Sequence, residues 1–135
     1  MNQSETPNEV IPAVLVVDGD ILSRHAIAEY LRHCGYAVVE AANTDEALVA
    51  INDDALSVDV ILCDVAAVGS ENAFGLATWV RQNRPELEVR MAGNIEGTAQ
   101  KAAELCETGP HLARPYEPIA VIDYIKRLRG ARDRF

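Results

Sequence analysis

Two short, largely apolar runs, each ending in a carboxylate, limit what this chain can fold into: residues 13–18 (AVLVVD) and 58–64 (VDVILCD). Neither shows the apolar–polar alternation of a strand with one wet face, so both read as parallel strands buried on both sides. In open parallel sheets, ligand sites lie just beyond the carboxyl ends of the strands, where strand order reverses. Asp18, Asp20 and Asp64 are therefore candidates to share one site.

The rest of the chain supplies alternating elements. Helices are expected at 21–34, with Asp20 or Ser23 capping its start and Ile21, Ile27, Ala28 and Leu31 on its inner stripe, at 44–51, opened by Thr44, and at 74–83. Two more are expected at 96–107 and at 119–128, the last with Ile119, Ile122 and Ile125 facing inward. Strands are expected at 36–40, at 87–92 and, short, at 111–113. Trp79 reads as core rather than ligand. Five strands alternating with five helices predict an α/β, doubly wound parallel sheet with right-handed crossovers.

Residues 1–12 hold little that could be buried and are expected to be a flexible leader; 13–129 form the domain, and 130–135 a short basic tail. Lys126, Arg127, Arg129, Arg132 and Arg134 read as cations complementing a helix C-terminus. A net charge of −9, from 12 Lys and Arg against 21 Asp and Glu, disfavours nucleic acid as a partner. No apolar run is long enough to span a bilayer, so no membrane association is expected. Three cysteines, Cys34, Cys63 and Cys106, show no metal or redox spacing, which predicts reduced thiols and a cytoplasmic protein.

Four segments then carry a resemblance. VLVVDGD, GYAVVEAANTDEAL, DVILCDV and ARPYEP, in this order and spacing, resemble the receiver domains of two-component response regulators over roughly 13–128. The resemblance implies a flavodoxin-like five-stranded sheet of order 2-1-3-4-5 and no enzymatic activity. Asp64 would be the phosphoacceptor, charged by a histidine kinase or phosphotransfer protein in a phosphorelay. An anion approaching a carboxylate needs a cation, so weakly bound Mg²⁺ is implied, held by Asp18, Asp64 and the backbone carbonyl of Ala66. Asp20 either reaches the metal through water or caps the helix, and the cap is favoured. Output would be contact with a downstream protein whose identity the sequence does not carry.

The departures are specific. The hydroxyl residue that ends the family's fourth strand corresponds here to Gly93 or Ala92, so Asn94 or Thr98 is the nearest substitute donor. Arg114 replaces the family's lysine as the phosphoryl-contacting cation, a planar fork in place of a mobile ammonium. His111 stands at the switching aromatic, Val68 replaces a proline, and the loop 65–73 is long. These changes keep a second reading open, a pseudo-receiver that binds proteins without phosphorylation. A flavodoxin-like reductase is set aside because the loop after the first strand is acidic rather than phosphate-cradling.

Overall fold

A computed structural model describes residues 12–109 and 117–133 of the chain. In chain order the elements are β1 (Ala13–Val17), α1 (Ile21–His33), β2 (Ala37–Ala41), α2 (Thr44–Ile51), β3 (Val60–Asp64), α3 (Ala73–Asn83), β4 (Glu88–Ala92), α4 (Ile95–Glu107) and α5 (Pro118–Asp133). The strands form one parallel sheet of order β2-β1-β3-β4. Among the described residues the sheet thus has four strands rather than the five expected. The fifth, expected at 111–113, lies outside the described residues, as do His111, Arg114 and the leader as far as residue 11.

Composition explains the strand positions. β1 is buried along its whole length and β3 at three of five residues, while β2 and β4 carry Glu40, Glu88 and Arg90 and are largely half-exposed. Apolar runs therefore fill the middle of the sheet and mixed strands flank it.

Helices cover both faces. Ile27, Leu31, Ala99, Ala102, Leu105, Val121, Ile122 and Ile125, from α1, α4 and α5, pack on one side of the sheet. Ala47, Ile51, Leu76 and Val80 from α2 and α3 pack on the other, with Trp79 partly buried against them. Ile21 and Ile119, both expected to face inward, are 59% and 62% exposed. Both lie in the first turn of their helices, and Val121 takes the inner position on α5.

Helix ends follow local chemistry. α1 stops where Gly35 enters the left-handed region (φ 98°) and the Tyr36 N–H closes onto the Leu31 carbonyl. α2 is capped by Asn43, not Thr44: Asn43 Oδ1 accepts from the Glu46 N–H and Glu46 Oε1 accepts from the Ala42 N–H. Asn72 and Asn94 cap α3 and α4 through Oδ1 alone, accepting from the Gly75 and Gly97 N–H groups.

α5 departs most from expectation. It runs to Asp133, absorbing the start of the expected tail, and two ion pairs show its direction. Lys126 reaches Glu96 at the start of α4 (3.3 Å), and Arg129 reaches Asp20 at the start of α1. α5 therefore runs antiparallel to both helices and ends at the edge where β1 and β3 end.

The thiols are also corrected. Cys34, at the end of α1, is disulfide-bonded to Cys106 in α4, with Cα atoms 5.4 Å apart. Both are completely buried, and Tyr36 Oη donates to the Leu105 carbonyl beside them (2.6 Å). Cys63 is the free thiol, buried on the opposite face.

Candidate functional site at the strand ends

Sheet register builds the site. Val17 pairs with Cys63, so the next residues along, Asp18 and Asp64, lie side by side at the edge where both strands end. Asp64 itself pairs with Ala92, which sets the end of β4 next in line.

Asp18 is only 9% exposed. Its Oδ1 accepts from the Asp20 N–H at 2.9 Å, and Arg24 donates to its backbone carbonyl at 3.0 Å while also pairing with Glu40 at 3.1 Å. Burial is the main force raising the Asp18 pKa. The Asp20 N–H opposes it, the charges of Asp64 and Asp20 add to it, and Arg129 opposes it, with a net rise. Asp64 is half-buried, and its Oδ1 accepts from the Ala66 N–H at 3.1 Å.

Asp20 occupies the N-cap of α1 but makes no side-chain bond to the helix backbone, so the expected capping role is replaced. Its Oδ2 accepts from Ser23 Oγ (2.7 Å) and from Arg129, through Nε at 2.9 Å and also through Nη2. Arg129 is the neighbour of the acids that sequence reasoning did not place there. It lies 109 residues from Asp20, and only the antiparallel course of α5 brings it to the acids.

Other expected residues are placed as follows. Ala92 ends β4 and accepts at its carbonyl from the Val65 N–H, and a Cβ on Gly93 would meet Val65 Cγ2 at 3.7 Å, an ordinary contact. The hydroxyl is therefore missing by sequence, not for lack of space. Asn94 Oδ1 is committed to capping α4 through the Gly97 N–H, and Thr98 Oγ1 donates to the Asn94 carbonyl. Cys63 precedes Asp64, yet burial and the Asp64 and Asp18 charges push its thiol up to about 12, so it stays protonated and inert.

The donor set suits a hard cation. Two carboxylates from neighbouring strands converge with no cation side chain described on Asp64, and oxygen donors of this kind fit Mg²⁺. Among the described residues no three His, Cys, Asp or Glu side chains are gathered as a metal group, so the expected set depends on the Ala66 carbonyl as third ligand. A groove of about 540 Å³ between α1 and α5, lined by Leu22, Ala26, Val121 and Tyr124, includes none of the three acids. No described helix is long and apolar enough to cross a membrane.

Comparisons with known proteins agree with this geometry. No protein-family model matches the chain. Over 56 residues, 42% of its length, it is 38% identical to the two-component response regulator-like protein PRR37 of Oryza sativa, in both the indica and japonica forms. The chain spans only 8% of the length of those relatives. Among solved structures it resembles the chemotaxis response regulator CheY4 of Vibrio cholerae, with a TM-score of 0.57 and 25% identity over 87% of this chain and 98% of that one. It also resembles NtrX from Brucella abortus, solved with ADP, with a TM-score of 0.57 and 27% identity over 93% of this chain and 30% of that one. Fold and acid edge together define an open α/β domain whose candidate site is a pair of strand-end carboxylates. That fold is the one seen in the receiver domains of response regulators.

Proposed function

We propose that the protein is a response-regulator receiver that takes a phosphoryl group onto Asp64 from the phosphohistidine of a cytoplasmic histidine kinase or phosphotransfer protein, and signals by altered contact with a downstream protein. The observation that carries this reading is the sheet register that sets Asp18 and Asp64 side by side at the ends of β1 and β3, with Asp18 almost fully buried. An edge holding that much negative charge fits a divalent cation, with Asp18, Asp64 and the Ala66 carbonyl as its oxygen ligands. Bound Mg²⁺ would offset the charge between the acceptor and the incoming phosphoryl group. Asp64 is the nucleophile: one Oδ forms the new O–P bond as the donor's N–P bond breaks, leaving an acyl phosphate and a neutral imidazole. Asp18 is held in place by the Asp20 N–H and, through its carbonyl, by Arg24. Arg114 is assigned to the phosphoryl oxygens, where its planar fork can donate twice.

The pseudo-receiver reading is favoured by Ala92 and Gly93, which bring no hydroxyl, and by Arg129, which already pairs with Asp20. Intact-mass spectrometry after incubation with a phosphorylated histidine-kinase domain and Mg²⁺ separates the two. A phosphoryl adduct lost in Asp64→Asn supports transfer to Asp64. An unmodified wild-type chain supports the binding module.

A further inference from the structure

The loop between β3 and α3 is bonded almost residue by residue. The Ala66 N–H donates to Asp64 Oδ1 (3.1 Å) and the Ala67 N–H to the Asp64 carbonyl (2.9 Å), with Ala67 itself buried in the core. The Val68 carbonyl then accepts from the Thr44 N–H (2.9 Å), the Ser70 N–H donates to Asp45 Oδ2 (3.1 Å), and the Glu71 carbonyl accepts from Thr44 Oγ1 (2.5 Å). Gly69 makes this close approach possible, with φ at +145° and a position where a Cβ would lie 2.2 Å from Thr44 Oγ1. Thr44 is completely buried, although it opens α2 rather than capping it.

We infer that this chain of bonds is a latch through which the state of the Asp64 carboxylate is transmitted to α2. It takes Asp64 as the switching residue, as proposed above, and it supplies a route that needs no hydroxyl at the end of β4. A change at Asp64 Oδ1 alters what the Ala66 N–H donates to. With Ala67 anchored in the core, the strain passes to residues 68–71, whose polar partners are all on Thr44 and Asp45. α2 answers as a unit because its first turn carries the whole connection. Val49, 72% exposed on that helix, gives the movement an apolar readout on the surface.

The test uses Asp64→Asn as the perturbation, so it does not depend on phosphorylation. Amide chemical shifts of Asp64→Asn are compared with wild type, and the comparison is repeated in a Thr44→Val background, which keeps the buried volume but removes the hydroxyl. A second background, Asp45→Ala, changes only an exposed side chain and guards against misfolding of the first. In the native background the substitution is expected to shift residues 66–71 and 44–49 together; in each altered background, which removes one of the three bonds to α2, the response at 45–49 should be reduced while that at 66–67 persists. A silent α2 in the native background overturns the inference. So does an α2 response of equal size in all backgrounds, the signature of a through-space charge effect. Beryllofluoride with Mg²⁺, run on the wild type in parallel, reports on the phosphorylation reading separately: no binding there, with the latch response intact, removes that reading and leaves the latch standing.

Discussion

Reducing the bond between Cys34 and Cys106 is the perturbation with the largest expected effect on the fold. The two cysteines are 72 residues apart, so the bridge closes a loop from the end of α1 to the end of α4 that contains three of the four described strands. Constraining a loop of that length in the unfolded chain corresponds to about 4 kcal/mol of stability. For a domain of this size, that is a fall of roughly 15 °C in Tm. The native fold should survive reduction at room temperature, because α4 is also held by Ala99, Ala102 and Leu105 in the core and by the Tyr36 bond to Leu105. Thermal unfolding followed by far-UV circular dichroism, with and without dithiothreitol, measures the difference. The Cys34→Ser/Cys106→Ser double variant should match the reduced protein and ignore the reductant. Thiol titration in denaturant without reductant should count Cys63 alone. Equal midpoints with and without dithiothreitol, or three titrating thiols, would refute the reasoning.

Four further outcomes are expected. Asp18 has a folded-state pKa above its ordinary 3.8, so its charge opposes folding above the folded pKa and ceases to as pH falls below the unfolded value; Asp18→Asn should therefore be more stable than wild type at pH 7, with urea midpoints converging on acidification, and a gap that widens towards low pH contradicts this. Asp64→Asn removes one of the charges raising the Asp18 pKa and should also stabilise the metal-free protein, while abolishing Mg²⁺ binding in a calorimetric titration. Arg129→Ala should lower stability by about 1 kcal/mol, the scale of a partly exposed, forked ion pair, and raise the Asp18 pKa further in a carboxyl NMR titration. Gly69→Ala should cost about 2 kcal/mol in a denaturant melt, since an alanine there is strained both by φ and by Thr44 Oγ1.

The apolar runs ending in Asp18 and Asp64 were enough to foresee the central strands, their parallel pairing and the paired acids at one edge. Strand burial is a local property of such runs, and register then follows from their lengths. The rest depended on contacts between distant residues. Arg129 was read as a helix-end cation because the last helix was expected to end at residue 128, yet a helix tolerates an interior glycine such as Gly130 at a cost of about 1 kcal/mol, and the helix continues to Asp133. The Cys34–Cys106 pairing carries no signature in spacing and arises from where α4 docks against α1. In Asn43-Thr44-Asp45 each residue is a plausible opener of α2; the fold gives the cap to Asn43 and turns Thr44 and Asp45 towards the loop after β3.

The course of α5 also decides what can be attached to the molecule and where. β1 begins at the edge opposite the acids, whereas α5 ends beside Asp20. A bulky fusion joined after α5 would therefore stand over the approach to Asp64 and compete with any incoming phosphodonor, and one joined before β1 would leave that approach open. The same proximity makes the end of α5 a natural anchorage for a fluorophore, whose emission would respond to whatever settles among the carboxylates.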